Sequence, residues 1–295
     1  MACTSSETIG VLLAAYNGRQ WLNEQLKSIL QQSDVTVHVF ISVDFSSDGT
    51  YEWCSNVEQR HSNVTVLEYG EHFGGAAKNF YRLIRDVDFS GFDYVAFADQ
   101  DDIWLENKLS RAIMMIKQNN LNGFSSDVRA FWQDGREVIV KKSYQQKQFD
   151  YYFEAAGPGC SYVLKQQVLQ QFKSFLNNNW HQVNQVTSHD WMIYSYCRAR
   201  GMKWLIDDLP LMRYRQHDSN QVGFNSGMKA YSKRFSMIKD KWYRNEVVNI
   251  SRLLAPYCKT DFSMSRWFMV KHFWQLRRRP RDAYILLAML IIGMF

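Results

Sequence analysis

The chain has 295 residues, of which 46% are hydrophobic and 22% charged. This composition excludes an intrinsically disordered protein and allows one large domain, or a domain with an extension. The net charge of +6 favours anionic partners, such as nucleic acid, nucleotides or acidic lipid, without choosing among them. Five cysteines, an odd number with no C-x-x-C pair, argue against a disulfide framework or a zinc site and favour a reducing compartment.

The two ends of the chain carry apolar stretches of different kinds. The first residues, MACTSSETIGVLLAAYNG, have no basic segment before the apolar run, so they predict a strand rather than a signal peptide. The last residues, DAYILLAMLIIGMF, form an apolar stretch of about a dozen residues, short of the roughly 20 that span a bilayer. This stretch predicts a buried helix or a helix that lies in the plane of a membrane surface, and the basic run RRRPR before it favours the membrane surface.

Strand and helix patterns alternate through the first 120 residues. Strands are expected at 8–15, 35–43, 63–69 and 94–98, and helices at 20–32, from Thr50, at 76–87 and at 106–119. This alternation predicts a parallel sheet with helices on both faces. Ligands of such sheets bind beyond the carboxyl ends of the strands. The residues that directly follow strands, Tyr16, Asn17, Asp44 and 99–102, should therefore converge on one edge.

The pattern is less regular beyond residue 120. Further strands are expected in GFSSDVRAFW, in REVIVKKSY and, as a pair, in 202–217. The stretch 157–172 predicts a loop, a short strand and a helix, and 189–201 predicts a helix that ends at Gly201. From about residue 228 onward the chain is predicted to be helical and basic.

Three carboxylates, Asp99, Asp101 and Asp102, follow the apolar strand of VAFADQDDIW. Carboxylates two residues apart in a turn can face one hard cation, Mg²⁺ or Mn²⁺, which would neutralise a diphosphate leaving group. The alternative is a helix cap, with Asp102 opening a helix through Trp104 and Leu105. One Asp is enough for a cap, so the three together favour a metal or ligand site.

Four segments resemble the N-terminal half of the family 2 glycosyltransferases: VLLAAYNGRQWLNEQLKSIL, ISVDFSSDGTYE, HFGGAAKNFYRLI and VAFADQDDIWLENKL. The ADQDDIW form is similar to the bacterial rhamnosyltransferase-like subgroup that builds surface polysaccharide. GPGCSYVLK, HDWMIYSY and YRQHDSNQVG extend the likeness over about residues 8–223. It implies the α/β GT-A fold, a mixed and mainly parallel sheet flanked by helices, at 1–225. The basic, aromatic-rich pattern of the remaining residues predicts a helical extension at 226–295.

The resemblance also implies residues that bind the nucleotide-sugar donor: Ala15, Tyr16, Asn17, Asp44, Lys78, Asn79, Asp99, Gln100 and Arg215. Asp44 matches the acid that hydrogen-bonds the pyrimidine base, and Asp99 lies nearer the ribose. Lys78 and Asn79 match a pair near the ribose and diphosphate. Relatives commonly have an acid where Val43 stands and a Gly where Phe45 stands, which leaves the base preference of this chain open.

The metal ligands that the resemblance implies are Asp101, of the DXD element, and His217, in a segment that closes over the diphosphate. The cofactor would be Mg²⁺ or Mn²⁺, and Arg215 would pair with phosphate. An inverting transfer also needs a carboxylate that takes the proton of the acceptor hydroxyl. Asp190 of the HDW motif is the expected base. Its position early in a helix fits an N-cap equally well, and is expected to favour the ionised carboxylate.

Contacts to the acceptor or the sugar are expected from Trp104, Gly159, Cys160, His189 and Trp191. The two Trp rings would stack on sugar faces, with core packing as the alternative. Small residues in the GPGC loop would let a sugar approach the backbone closely. Cys160 is not expected to be a nucleophile, because no basic partner is near it in sequence.

The sequence thus predicts a metal-dependent, inverting glycosyltransferase with a dTDP- or UDP-sugar donor, such as dTDP-L-rhamnose. The acceptor would be a lipid-linked glycan of O-antigen or capsule synthesis. The enzyme would be cytoplasmic and peripheral on the anionic inner face of the bacterial membrane. A non-catalytic GT-A-like nucleotide- or glycan-binding protein is the alternative. Nucleic-acid binding is not expected without RNP, KH or helix-turn-helix patterns, and AAYNGRQ lacks the phosphate loop of a nucleotidyltransferase.

Overall fold

The computed structural model describes residues 6–217, 241–258 and 261–295. Within them, a larger sheet contains β1 (Glu7–Ala15), β2 (Val35–Val43), β3 (Val64–Val66), β4 (Tyr94–Ala98), β6 (Gly123–Ser126), β9 (Val163–Lys165) and β10 (Trp204–Asp207). A smaller sheet contains β5 (Ile103–Trp104), β7 (Val128–Phe131), β8 (Glu137–Val140) and β11 (Met212–Arg215). These bounds confirm the predicted strands, except that β3 is shorter than 63–69.

The helices of the described ranges are α1 (Arg19–Leu30), α2 (Thr50–Glu58), α3 (Ala76–Asp86), α4 (Lys108–Gln118), α5 (Gln166–Asn178), α6 (Trp180–Val183), α7 (His189–Ala199), α8 (Trp242–Leu254), α9 (Arg266–Lys271) and α10 (Pro280–Ile292). Gly201 follows α7 with φ +73°, a left-handed conformation that favours glycine at a helix end. The helix predicted at 106–119 begins later, at Lys108, because Ile103 and Trp104 form strand β5.

The larger sheet has the order β10-β6-β9-β4-β1-β2-β3. β9 is antiparallel to both of its neighbours, and the other pairs are parallel, so the sheet is mixed and mainly parallel. The smaller sheet has the order β5-β11-β7-β8. In this sheet β11 is antiparallel to β5, with Met212 opposite Trp104 and Arg213 opposite Ile103, so the end of β11 runs back toward the acidic turn after β4.

Alternation along β1 sends its side chains into two separate cores. Leu12 and Ala14 pack in one cluster with α3, α5 and α7, whereas Leu13 and Ala15 pack in the other with α1 and α4. A strand with both faces buried must be apolar throughout. This requirement explains why the polar residues begin only where β1 ends, at Tyr16.

The C-terminal helices share the first of these cores. Val247 and Leu254 of α8, Met269 of α9, and Leu286 and Leu290 of α10 are buried in the cluster that also holds α3, α5 and α7. The boundary predicted at 225/226 lies outside the described residues. None of the helices in the described parts of the chain is both long and apolar enough to cross a membrane.

Two arginines of the basic run RRRPR, Arg277 and Arg278, form ion pairs within the fold. The Arg278 guanidinium is buried, and its Nη1 lies 3.2 Å from Oδ2 of Asp150. Its Nη2 lies 3.4 Å from the carboxylate of Glu154, which the Arg277 side chain also approaches. The prediction that the whole run faces a membrane is therefore wrong for Arg277 and Arg278, because buried acids from another part of the chain neutralise them.

Candidate active site

The acidic turn after β4 is joined to the loop after β1 by one side chain. The Gln100 carboxamide accepts from the Tyr16 backbone N–H at 2.7 Å and donates to the Tyr16 carbonyl at 2.9 Å. Gly18 leaves space for this contact, since a Cβ at that position would lie 2.1 Å from Gln100 Oε1. Gln100, predicted to bind the donor, here fixes the loop after β4 against the loop after β1. The Tyr16 ring stays half exposed.

The loop after β1 is also bound to the loop after β2. Asn17, at φ +45°, accepts from the Ser47 N–H through Oδ1 (2.9 Å) and donates its own N–H to Ser46 Oγ (3.0 Å). The Ala15 carbonyl accepts from the Asp44 N–H at 2.8 Å. Ala15, Asn17 and Asp44 therefore lie at one edge of the sheet, as their positions after strands predicted.

The Asp44 carboxylate is buried beneath residues 72–74. It accepts from the backbone N–H groups of Phe73 (2.9 Å) and Gly74 (3.1 Å), and His72 Nδ1 lies 3.3 Å away. Asp44 thus shapes the wall where a base is expected. Phe45 beside it is 59% exposed and lies parallel to Tyr69, with centroids 6.1 Å apart.

The predicted pair Lys78 and Asn79 lies in the first turn of α3, with one side chain exposed and the other buried. Lys78 is exposed, in agreement with a role toward phosphate. Asn79 is buried, and its amide donates to the carbonyls of Ala15 (3.3 Å) and Ser42 (3.0 Å). The Asn79 side chain therefore joins the ends of β1 and β2 in this structure, and its expected place near the ribose and diphosphate stays a prediction.

Asp101 and His217 form the pair that fits a divalent ion. His217 Nε2 lies 2.8 Å from Asp101 Oδ2. Ligands in adjacent octahedral positions around Mg²⁺ lie about 3 Å apart, so these two atoms have the spacing of neighbouring ligands. The His217 ring stacks on Trp21 of α1 at 4.1 Å, which fixes its orientation. The carboxylate oxygen suits Mg²⁺ or Mn²⁺, and the imidazole nitrogen favours Mn²⁺, the transition metal of the two.

Arg215 supports the same turn. Its Nε donates to the Asp101 carbonyl at 2.7 Å, its backbone N–H donates to Asp102 Oδ1 at 3.1 Å, and its guanidinium pairs with Glu24 of α1. Arg215 therefore lies at the site as predicted. In this structure its guanidinium contacts the acidic turn and Glu24.

Asp102 is not a helix cap. Helix α4 begins at Lys108, and Asp102 is fully buried against the end of β11. Ligand atoms of Asp99, Asp102 and Cys160 lie within 4.8 Å of one another. Burial, with the neighbouring Asp101 charge, raises the pKa of Asp99 to about 7 and that of Asp102 well above its usual range. These three ligand atoms are close enough together to contact one ion.

Cys160 and Lys108 complete the buried side of this cluster. Burial raises the pKa of the Cys160 thiol well above its ordinary value, which agrees with the expectation that it is not a nucleophile. Burial lowers the pKa of Lys108 to about 7. The Lys108 Nζ lies 3.5 Å from the centre of the Trp104 ring and has no hydrogen-bond partner in the part of the chain that the structure describes.

Asp190 lies in the first turn of α7, close to the GPGC loop. A Cβ on Gly159 would lie 3.1 Å from Asp190 Cβ and 2.5 Å from His189 Nε2. Burial raises the pKa of Asp190 to about 6, although the Trp191 N–H, which donates to Oδ1 at 2.7 Å, opposes the shift. The expected preference for the ionised form is therefore wrong in sign, because burial outweighs the helix N-terminus. Asp190 also raises the pKa of Asp99, so the two carboxylates are within electrostatic reach.

Several residues predicted to contact the acceptor or the sugar are buried in this structure. Trp104 and Trp191 are 3% and 5% exposed, and Trp191 Nε1 donates to the Tyr151 carbonyl at 2.9 Å. Both rings therefore pack in the core and cannot stack on a sugar in this structure. Cys160 is likewise buried. Gly159 permits the close approach of His189, rather than of a sugar.

His189 is a buried, neutral histidine. Its ring stacks on Phe80 with centroids 3.9 Å apart, and burial lowers its pKa to about 3. Among the described residues its Nε2 has no hydrogen-bond partner. His189 therefore helps to hold the start of α7 in place.

Sequence reasoning missed three residues that shape the site. Trp21 and Glu24, one turn apart on α1, contact His217 and Arg215. Lys108 lies on an otherwise apolar face of α4, with Leu109, Ala112 and Ile116. A charged residue within an apolar helical stripe was the available signal for Lys108. No comparable signal exists for Trp21 or Glu24, because their partners lie about 190 residues away along the chain.

The fold, together with the residues at the carboxyl ends of the strands of the larger sheet, identifies the class to which this protein belongs. Acids at the ends of parallel strands, an acid–histidine pair spaced for a divalent ion and a carboxylate with a raised pKa are the parts of a GT-A glycosyltransferase site. The sequence profile of Glycosyl transferase family 2 matches residues 10–194. The chain belongs to this family and is a glycosyltransferase.

Individual relatives agree with this assignment. The dTDP-rhamnosyl transferase RfbG of Shigella flexneri is 44% identical over 289 residues, which cover 96% of this chain and 100% of RfbG. S. aureus TarS 1–349 in complex with UDP has a TM-score of 0.56 at 14% identity, covering 97% of this chain and 80% of that one. The mannosyltransferase PcManGT of Pyrobaculum calidifontis, with GDP-Man and Mn²⁺, has a TM-score of 0.53 at 13% identity, covering 99% and 86%. These structures show the GT-A fold.

Proposed function

We propose that this glycosyltransferase transfers L-rhamnose from dTDP-rhamnose to a hydroxyl of a lipid-linked glycan, with inversion at the anomeric carbon and with Mg²⁺ or Mn²⁺ bound. The observation that carries the proposal is that Asp190 lies within electrostatic reach of Asp99, in the acidic turn whose Asp101 pairs with His217. The likeness to RfbG over almost the whole chain supports the donor. TarS and PcManGT support a nucleotide-sugar donor in general.

Asp190 is proposed as the general base. Its carboxylate accepts the acceptor hydroxyl proton while the acceptor oxygen forms a bond to the anomeric carbon and the bond from that carbon to the diphosphate breaks. A pKa of about 6 suits this role, because the group is ionised at neutral pH yet basic enough to take a proton. The neutral His189 ring and Gly159 hold the turn that carries Asp190.

The donor is proposed to lie across the loops after β1, β2 and β4. The exposed Tyr16 and Phe45 rings would bound the nucleotide, with Asp44 behind them. Asp99, deeper in the cleft, would face the ribose. Asp101 and His217 would hold the divalent ion, which supplies positive charge to the departing diphosphate. The exposed Lys78 and Arg215, which contacts the acidic turn, would add positive charge toward the phosphates.

A membrane surface is proposed as the place where the acceptor is met. Exposed apolar residues form a patch on α9, α10 and the turn between them: Trp267, Trp274, Tyr284, Ile285, Ile291 and Ile292. The Trp274 and Tyr284 rings are 5.7 Å apart, and Arg266 donates to the Ile291 carbonyl, so α9 and the turn after it both lie against α10. Aromatic and aliphatic side chains beside exposed Lys271 and Arg281 suit an anionic lipid interface.

Nucleotide-sugar turnover tests the chemical part of the proposal. Purified protein with Mn²⁺ is given dTDP-rhamnose, UDP-glucose, UDP-GlcNAc or GDP-mannose, and nucleoside diphosphate release is measured, with chelator as the control. We expect release from dTDP-rhamnose above the other donors, and loss of release with chelator or in Asp190→Asn. Tight binding of dTDP without turnover of any donor would instead support a binding protein.

Vesicle flotation tests the membrane part separately. The wild type is expected to float with anionic vesicles and not with neutral ones. The double variant Ile285→Asp, Ile292→Asp should lose at least about tenfold in affinity, because burying one such side chain contributes about 1.5–3 kcal/mol. Met114→Asp, which changes an exposed apolar residue on α4, is the matched control. Equal flotation of both variants would contradict the proposed surface.

A further inference from the structure

Helix α8 reaches the turn from which Asp190 enters the site. Both carboxylate oxygens of Glu246 accept from the Thr187 backbone N–H, at 3.2 and 3.1 Å. The Trp242 indole N–H, one turn earlier on α8, donates to Thr187 Oγ1 at 3.0 Å. Thr187 precedes Asp190 by three residues, so α8 holds the chain at the start of α7 from one side.

The opposite side of the same turn is held by α3. The Tyr81 hydroxyl donates to the Val186 carbonyl at 3.2 Å, and Tyr81 is fully buried. Ser188, the residue that caps α7, makes no side-chain hydrogen bond to the helix start. The start of α7 therefore depends on groups from α3 and α8 rather than on a local cap.

Glu246 is an unusual residue for a purely structural contact. It is 3% exposed, and burial raises its pKa to about 7. A buried carboxylate is costly unless its hydrogen bonds are needed, and an apolar side chain would pack α8 against α7 without that cost. Its neighbours Val247 and Ile250 are apolar and already provide such packing.

We propose that Glu246, together with Trp242, is a positioning residue for Asp190. By holding Thr187, α8 fixes the height and direction at which the base enters the cleft. This inference rests on the proposed function of Asp190. It gives the C-terminal helices a role in the transfer step, besides the membrane contact proposed for α9 and α10.

Glu246→Leu tests the proposal in steady-state kinetics. Because a displacement of about 1 Å can cost about 100-fold in rate, we expect kcat to fall about 10- to 100-fold. The KM for dTDP-rhamnose should change less than about threefold, since the hydrogen bonds described for Thr187 go to α8 and not to the loops after β1, β2 and β4. Glu246→Gln keeps an oxygen acceptor and should retain most of kcat. Val247→Ala, a buried change on the same helix, is the control for lost stability and should keep kcat.

A double-mutant cycle separates positioning from general destabilisation. In the Asp190→Asn background, Glu246→Leu should cause little further loss of residual kcat, because the group that it positions is already gone. Equal losses in the two backgrounds would overturn the proposal, as would a kcat for Glu246→Leu no lower than that of Val247→Ala. If Glu246→Leu fails to fold, Trp242→Phe serves in the same cycle, with an expected loss of about threefold or more.

The outcomes distinguish this inference from the proposed function. Full activity of Asp190→Asn would refute Asp190 as the base, and the positioning role with it. Loss of activity in Asp190→Asn, with unchanged kcat in both Glu246→Leu and Trp242→Phe, would refute only the positioning role.

Discussion

Replacing Asp190 with Asn is expected to inactivate the enzyme and to stabilise it. The folded pKa of Asp190 is about 6, above the ordinary value of 3.8, because burial disfavours the charged form. Ionised Asp190 therefore opposes folding above pH 6. The displacement corresponds to up to about 3 kcal/mol, at 1.36 kcal/mol per pH unit. Asn is nearly isosteric and carries no charge, so it removes this cost.

The pH dependence of the stability difference follows from the same shift. Below about pH 4 Asp190 is protonated in both the folded and unfolded states, and the variant gains nothing. The gain should grow as pH rises from 4 to 6 and stay constant above pH 6. Urea unfolding of both proteins at pH 4, 5, 6 and 8 measures it. A variant less stable than the wild type at pH 8, or a difference independent of pH, would refute the reasoning.

Ionisation of Asp190 lowers the stability of the fold, but the same ionisation should be required for activity. The base must be deprotonated, so kcat/KM of the wild type should fall as pH drops through about 6. Asp190→Asn should lose about 10²- to 10⁴-fold in kcat. A stable, inactive variant would show that the charge is retained for chemistry at the expense of folding. A variant with normal kcat would remove Asp190 from the mechanism.

Three further predictions concern the metal pair and the glycines. His217→Ala should weaken Mn²⁺ binding in the presence of dTDP at least about tenfold, as measured by calorimetry. His181→Ala, at an exposed site, is the control and should not weaken it. Equal Mn²⁺ affinities of the two variants would exclude His217 as a ligand. Gly159→Ala should cost about 1–3 kcal/mol in urea unfolding and lower kcat, because its Cβ would lie 2.5 Å from His189 Nε2; normal stability and rate would contradict that packing. Gly18→Ala should raise the donor KM by displacing the Gln100 side chain, and an unchanged KM would show that Gln100 does not fix the loops.

The strand ends of the site could be predicted from sequence because their cause is local. An apolar run that stops at Tyr16, Asp44 or Asp99 indicates a buried strand and an exposed end. Parallel pairing, with Ala15 opposite Val43 and Leu13 opposite Ala98, then brings these ends together without further information. The order of the motifs and the family resemblance supplied the rest of the expected cleft.

Other features could not be predicted because they depend on contacts across the chain. Arg278 pairs with Asp150, which is 128 residues away, so a basic run that suggested a membrane surface is partly internal. Trp191 appeared to be a sugar platform, yet it packs against Tyr243 of α8, and that helix can only be placed by the fold. The pKa of Asp190 is set by burial, and position in a helix alone gave the wrong sign.

Transfer to the natural acceptor tests the central claim most directly. Lipid-linked glycans extracted from bacterial membranes are incubated with dTDP-rhamnose, Mn²⁺ and either the wild type or Asp190→Asn, and the products are followed by mass spectrometry. The proposed function predicts that the wild type adds one deoxyhexose and releases dTDP, and that the variant adds none. No added sugar from dTDP-rhamnose, together with transfer from another nucleotide sugar or with dTDP binding alone, would contradict it.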